Sequence, residues 1–223
     1  MTDQPDPPLL GNLKQKLIAA KQRWASEGRL LTGQSDAGHT RRLPPGQRKV
    51  VDWPVLDLGV VPSLSTGDWH FSADGVVERP VKWSWDEFLA QPQVTVRCDI
   101  HCVTAWSRFD NAFTGVPLLH LLDVVCPTAE ARFVMLRSYD GYTTNLPLEF
   151  IADDDVLLAH SWQGAPITRE HGGPMRLILP KLYLWKSAKW LRHITFTDRD
   201  APGYWERRGY HMQGDPWKEE RYG

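Results

Sequence analysis

Apolar positions change their spacing along this chain, and the changes divide it. Leu10, Leu13, Leu17, Ala20 and Trp24 recur at helical spacing, with Lys14, Lys16, Lys21 and Arg23 on other faces. That period predicts an amphipathic helix from about residue 9 to 26, behind a loose proline-rich tail over 1–8. A basic amphipathic helix can lie on a membrane. Packing against the chain's own domain or a partner is the simpler expectation. Gly28 to Lys49 is rich in glycine, polar and basic residues and reads as a linker or extended arm. The expected division is therefore residues 1–49 as helix and arm, and 50–223 as one compact domain.

Beyond Val50 the period shortens to two. Trp69, Phe71 and Ala73 alternate with polar residues, Asp74-Gly75 predicts a turn and Val76-Val77 a returning strand. Ser84 and Glu87 have capping-box spacing, which opens a short helix through Ala90 that Pro92 ends. A strand from Val94 runs into Cys98. Pro117 to Val125 is an apolar run with proline placed for the first helical turn. Arg132 to Ser138, Val156 to Trp162 and Arg176 to Leu179 read as strands, with turns at Asp140-Gly141 and Gly164-Ala165-Pro166. Trp190, Ile194 and Phe196 share one face of a further strand. Strands and short helices intermix without a βαβ rhythm, which predicts an α+β domain with mixed, largely antiparallel sheets. The tail from Pro202 to Gly223 carries Tyr204, Trp205, Tyr210, Trp217 and Tyr222, and is expected to wrap the domain surface.

Composition narrows the classes. A net charge of -1 gives no global field for nucleic acid. No window approaches the roughly 20 apolar residues a membrane span needs, and the polar N-terminus has no apolar signal core. Arg41-Arg42 lacks the apolar run of a twin-arginine signal. Three cysteines, Cys98, Cys102 and Cys126, argue against a disulfide scaffold and for a reducing compartment, so a cytoplasmic location is expected.

Candidate chemistry gathers at two stretches. The first is Asp99 to Ser107, around Cys102. A buried thiol, a nucleophile and a metal ligand are all open readings there. His101 and Cys102 should point to opposite faces of a strand. Cys98, His101 and Cys102 stand too close for paired zinc knuckles. The second is His171-Gly172-Gly173-Pro174-Met175-Arg176, followed by Lys181, Lys186-Ser187-Ala188-Lys189 and Arg192. Glycines permit close backbone approach, and Arg, Lys and Ser suit an anion such as phosphate. A solvated basic surface is the competing reading. Tyr139 to Asn145 reads as a hairpin turn with exposed tyrosines, and Asp153-Asp154-Asp155 as a solvated turn.

Taken in order, these pieces resemble the sulfite oxidase family of molybdenum enzymes. They are His101 to Trp106, Gly115 to Leu118, Asp140-Gly141-Tyr142, Leu157 to Ala159, Gly164 to Ile167, His171 to Arg176 and Lys186 to Trp190. The nearest likeness is to short bacterial members, including the catalytic subunit of the periplasmic methionine sulfoxide reductase. The resemblance implies one molybdenum-molybdopterin cofactor with Cys102 as its protein ligand. It implies His171, Arg176, Lys186, Ser187 and Lys189 around the pterin and its phosphate, with His101, Asp57 and Leu58 in further contact. Tyr142 and Thr104 are the expected polar groups near a small-molecule substrate that gives or takes an oxygen atom. Where sulfite-oxidising members have Ala-Gly-Asn-Arg-Arg after the cysteine, this chain has Val-Thr-Ala-Trp-Ser, and Arg108 is out of register. Where the sulfoxide reductase has an acid, Thr104 stands here. No haem segment is present, so a separate electron donor or acceptor is expected. A non-catalytic molybdopterin carrier and a zinc-binding structural domain are the competing functions.

Overall fold

The computed structural model describes residues 42–223, so the helix expected over 9–26 lies outside the described residues. Among the described residues, eleven strands form two sheets. The first holds β1 (Arg48–Val50), β4 (Val94–Cys102), β5 (Trp106–Pro117), β8 (Leu157–Trp162), β9 (Ala165–Pro166) and β10 (Arg176–Ile178). The second runs in the order β3 (Val81–Ser84), β2 (His70–Gly75), β11 (Leu191–Thr197), β6 (Phe133–Ser138), β7 (Thr143–Pro147). Only the pairs β1–β5 and β2–β11 are parallel. The fold is α+β with mixed, largely antiparallel sheets.

Three short helices connect them: α1 (Trp85–Leu89), α2 (Leu118–Val125) and α3 (Leu148–Ile151). The capping box at α1 forms as the spacing predicts, with Ser84 and Glu87 bonding each other's backbone N–H. It drives Phe88 into the larger core cluster, alongside Phe71, Leu136 and Phe196. Fully burying such a side chain contributes about 2–3 kcal/mol. Pro117 caps α2 instead of occupying its first turn.

One local expectation changes. Asp74 and Gly75 end β2 and do not turn it; the returning strand is β3, and Val77 only bridges to Pro127. Gly75 sits where an added Cβ would lie 2.2 Å from the Phe196 carbonyl, so close strand pairing, not a turn, requires glycine there. The residues on either side of the expected boundary at Val50 join one sheet. β1 pairs with Trp106–Arg108, and Arg42 binds Asp99 (2.6 Å) and Asp110 (2.7 Å).

The end of β4 matters most for the site. From Cys98 to Cys102 every residue is buried, because both faces are covered. A bulge between Cys98 and Ile100 follows from an extra residue on β5, where Asp110 takes φ +57. Cys98, Ile100 and Cys102 all enter the second core cluster, with Trp53, Phe113 and Ile178.

Candidate functional site

One cavity of about 360 Å³ opens between the sheets and collects residues distant in sequence. Cys102 reaches it at the last position of β4. The chain then turns through Val103, Thr104 and Ala105, the last at φ +67. Gln47 donates to the Cys102 carbonyl at 3.0 Å, and Arg221 from the C-terminal tail donates to the Val103 carbonyl. Residues near both ends of the described chain therefore brace this turn. The Cys102 thiol lies 3.1 Å from the Thr104 hydroxyl. Burial pushes the thiol pKa up, while hydrogen bonding to Thr104 and the charge of Arg221 oppose that shift.

Around Cys102 the wall is aromatic. Trp106, Tyr142, Trp185, Trp205 and Tyr210 line it. Tyr142 is buried, and its hydroxyl donates to the Trp185 carbonyl at 2.6 Å. The expectation of an exposed turn tyrosine fails here because the ring is part of the core.

The other end of the cavity is cationic. Arg176 is 3% exposed and donates to the carbonyls of Leu177 (3.3 Å), His171 (2.6 Å) and Ser187 (2.7 Å). These bonds use three of its five N–H groups. No carboxylate among the described residues ion-pairs with it, and desolvation lowers its pKa to about 9. Lys189 donates to the carbonyls of Leu56 (2.6 Å) and Glu170 (2.8 Å). Burial and then the Arg176 charge bring its pKa down to about 8. His171 stacks on Trp53, with ring centroids 4.4 Å apart. Its Nε2 faces the Trp53 carbonyl at 2.9 Å, which assigns the proton to Nε2 and leaves Nδ1 to accept from Thr168. A strap over Trp53–Leu58 closes this end. The Asp57 carboxylate accepts from the Gly59 N–H at 2.7 Å.

Of the residues expected in the site, Cys102, Thr104, Tyr142, Asp57, Leu58, His171, Arg176, Ser187 and Lys189 line this cavity, and His101 and Lys186 do not. His101 follows strand alternation away from Cys102 and bonds Ser107 at 2.8 Å. Lys186 is fully buried against Glu206 at 2.6 Å and Asn145 at 2.9 Å. Lys181 pairs with Asp153 at 2.5 Å, which takes Asp153 out of any solvated turn. Gly172 and Gly173 approach protein rather than ligand. An added Cβ would lie 2.8 Å from Lys189 and 2.1 Å from the Ile167 carbonyl, respectively. Trp53, Trp106, Trp185, Trp205 and Tyr210 are not among the site residues expected from the sequence. Trp106 stands there only within the stretch around Cys102, and Trp205 and Tyr210 only within a tail expected to wrap the surface. Among the described residues no three His, Cys, Asp or Glu side chains form a metal-holding group, and no helix is long and apolar enough to cross a membrane.

A family model, the oxidoreductase molybdopterin binding domain, matches residues 58–205. The chain belongs to this family. It is a molybdenum-dependent oxidoreductase whose cofactor is molybdenum-molybdopterin. It is 44% identical over 192 residues to "uncharacterized oxidoreductase YuiH" of Bacillus subtilis, covering 86% of this chain and 96% of that one. To the protein-methionine-sulfoxide reductase catalytic subunit MsrP of Ralstonia nicotianae it is 28% identical over 159 residues, 64% of this chain and 48% of MsrP. The crystal structure of sulfane dehydrogenase SoxCD from Paracoccus pantotrophus shares the fold. Its TM-score is 0.59 at 21% identity, over 92% of this chain and 62% of that chain.

Proposed function

We propose that this oxidoreductase holds its cofactor across the cavity, with the pterin phosphate on Arg176 and Lys189 and the molybdenum on Cys102. The observation that carries the reading is the pair of desolvated cations, Arg176 and Lys189, that share a cavity with a thiol and have only carbonyls as hydrogen-bond partners. Two such cations repel each other and are stabilised by an anion, as charge-assisted bonds to phosphate provide. A soft thiolate suits a metal in a sulfur-rich shell. His171 and the backbone of Leu56–Leu58 would flank the pterin, since the Asp57 carboxylate is held in its own turn. When bound, the cofactor supplies a redox-active molybdenum for oxygen-atom transfer, while the chain binds, orients and excludes water.

The aromatic wall favours a neutral, organic substrate of the sulfoxide type over sulfite. Arg108 bonds the Val51 carbonyl at 3.0 Å and lies over the Trp162 ring, and it is not among the lining residues. Reduction of a sulfoxide to a thioether consumes two electrons and two protons and releases water. A separate electron carrier would supply the electrons. Thr104 would hold the thiolate side, and Tyr142 would present its ring. Residues 1–49 would serve as an arm, its end laid onto the sheet as β1, to a domain over 50–223.

The test is metal and pterin analysis of purified protein with a substrate panel of methyl phenyl sulfoxide, sulfite and nitrate under reduced or oxidised viologen. Cys102→Ser should lose molybdenum while keeping its circular dichroism spectrum. Retained molybdenum in that variant, or turnover of sulfite alone, would overturn the respective assignment.

A further inference from the structure

The C-terminal tail does more than cover the domain. It sends two side chains, Trp205 and Tyr210, into the cavity that holds Cys102. One buried and one half-buried anchor fix it there. Glu206 accepts from Lys186 (2.6 Å), Thr144 (2.8 Å) and Trp185 Nε1 (3.0 Å), and Arg221 donates to the Val103 carbonyl. The Tyr210 ring is held edge-on to Trp185 at 5.1 Å and lies 4.9 Å from Trp205. Its backbone bridges to Tyr222. The ring therefore has little freedom, and its hydroxyl is presented at a fixed place.

The hydroxyls of this wall differ in what they already hold. Tyr142 gives its proton to the Trp185 carbonyl, and Thr104 is engaged with the Cys102 thiol. Trp185 spends its indole N–H on Glu206. The Tyr210 hydroxyl makes no hydrogen bond to another described residue. Burial raises its pKa, and the neighbouring Tyr222 and then Cys102 add to that shift. Tyr210 is only partly buried, so its hydroxyl is open to the cavity and available to a ligand there.

We infer that Tyr210 is the substrate-facing hydrogen-bond donor of the site, delivered by the tail to the oxygen of a neutral oxo compound beside Cys102. The inference rests on the neutral-substrate reading above. Tyr210 lies beyond residues 58–205, which the family model matches.

The experiment is calorimetric titration of methyl phenyl sulfoxide into the oxidised, molybdenum-loaded full chain, with molybdenum content and Tm recorded for each variant. Tyr210→Phe keeps the ring and removes the donor. Its dissociation constant should rise about tenfold at unchanged molybdenum content and Tm. Tyr222→Phe, which removes an exposed hydroxyl outside the cavity, should bind as wild type. Trp106→Phe tests the competing donor, the indole N–H of the residue that pairs with Cys102 across the β4–β5 turn. Equal affinity in wild type and Tyr210→Phe overturns the inference, as does a loss confined to Trp106→Phe. A loaded wild-type chain that binds sulfite and no sulfoxide overturns the neutral-substrate reading and Tyr210's role with it.

Discussion

The two ends of the cavity reach readiness for a ligand by opposite routes. At the strap end, Arg176 is buried and Lys189 half-buried, and both have only carbonyls as hydrogen-bond partners, while Asp57 and Asp140 stand near Lys189 without pairing with it. At the Cys102 end most polar groups are already paired: Tyr142 with a carbonyl, Trp185 with Glu206, Thr104 with the thiol. What remains there is aromatic surface. The first end selects by charge and the second by shape and a few placed donors. On the reading proposed above, the contrast separates holding the pterin from choosing a substrate, so damage at one end should largely spare the other.

Arg176→Met should break the contrast most. It removes the central cation of the strap end and leaves the carbonyls of His171 and Ser187 without their donor. Each buried group left unsatisfied costs about 1–3 kcal/mol, and charged bonds to phosphate are worth about 1.5–3 kcal/mol apiece. Purified variant should contain less than a tenth of the wild-type pterin and melt several degrees lower. Normal pterin content would show that the excess charge is not what retains the cofactor.

Lys186→Met damages the other end. The Lys186–Glu206 pair is fully buried, so removing one partner leaves a carboxylate unpaired at a cost of about 3–5 kcal/mol. For a chain this size that corresponds to a fall in Tm of roughly 6–20 °C. Because the pair anchors the tail that supplies Trp205 and Tyr210, sulfoxide affinity should fall further than pterin content does. Equal losses of both would merge the two ends into one unit.

How far this division shows in the sequence depends on distance along the chain. The cationic end is legible because His171, Arg176 and Lys189 lie within one short stretch. Alternation predicted that His101 would face away from Cys102. Lys186 misleads because its neighbours Ser187 and Lys189 line the cavity, while its own ammonium is claimed by Glu206, twenty residues on. The aromatic end is illegible for the same reason. Trp106, Trp185, Trp205 and Tyr210 come together only once the tail folds back, and nothing local in Glu206 marks it as a buried anchor. In the fold, the capping box and β6–β7 hairpin were local and readable. The end of β2 was not, because Gly75 answers to its neighbour β11.

Protons sharpen the comparison. Lys189 has its pKa lowered to about 8, against about 10.4 for an ordinary lysine. Its charge is complete below that value and lost as pH rises through it. An anion at the strap end favours the charged form, so anion binding should weaken as pH rises past about 8 and take up protons in the window above it. Inorganic phosphate titrated into apoprotein should show this trend once its own ionisation is subtracted. Lys189→Arg should flatten it, since a guanidinium stays charged. A wild-type profile that is flat across this window would remove Lys189 from the cradle.

The smallest effect tests whether the aromatic end is spent, as its hydrogen bonds suggest. Tyr142→Phe removes one buried bond, the 2.6 Å contact to the Trp185 carbonyl, and keeps the ring. The net cost of such a bond is about 0.5–1.5 kcal/mol, so Tm should drop by roughly 1–6 °C. Trp185 also carries the tail through Glu206 and packs on Tyr210, so some of that loss should reach the wall. If the Tyr142 hydroxyl is structural, its removal should weaken sulfoxide binding less than Tyr210→Phe does. The reverse order, with Tm unchanged, would mean that Tyr142 releases its carbonyl partner when substrate arrives and that the aromatic end, like the cationic one, keeps a donor in reserve.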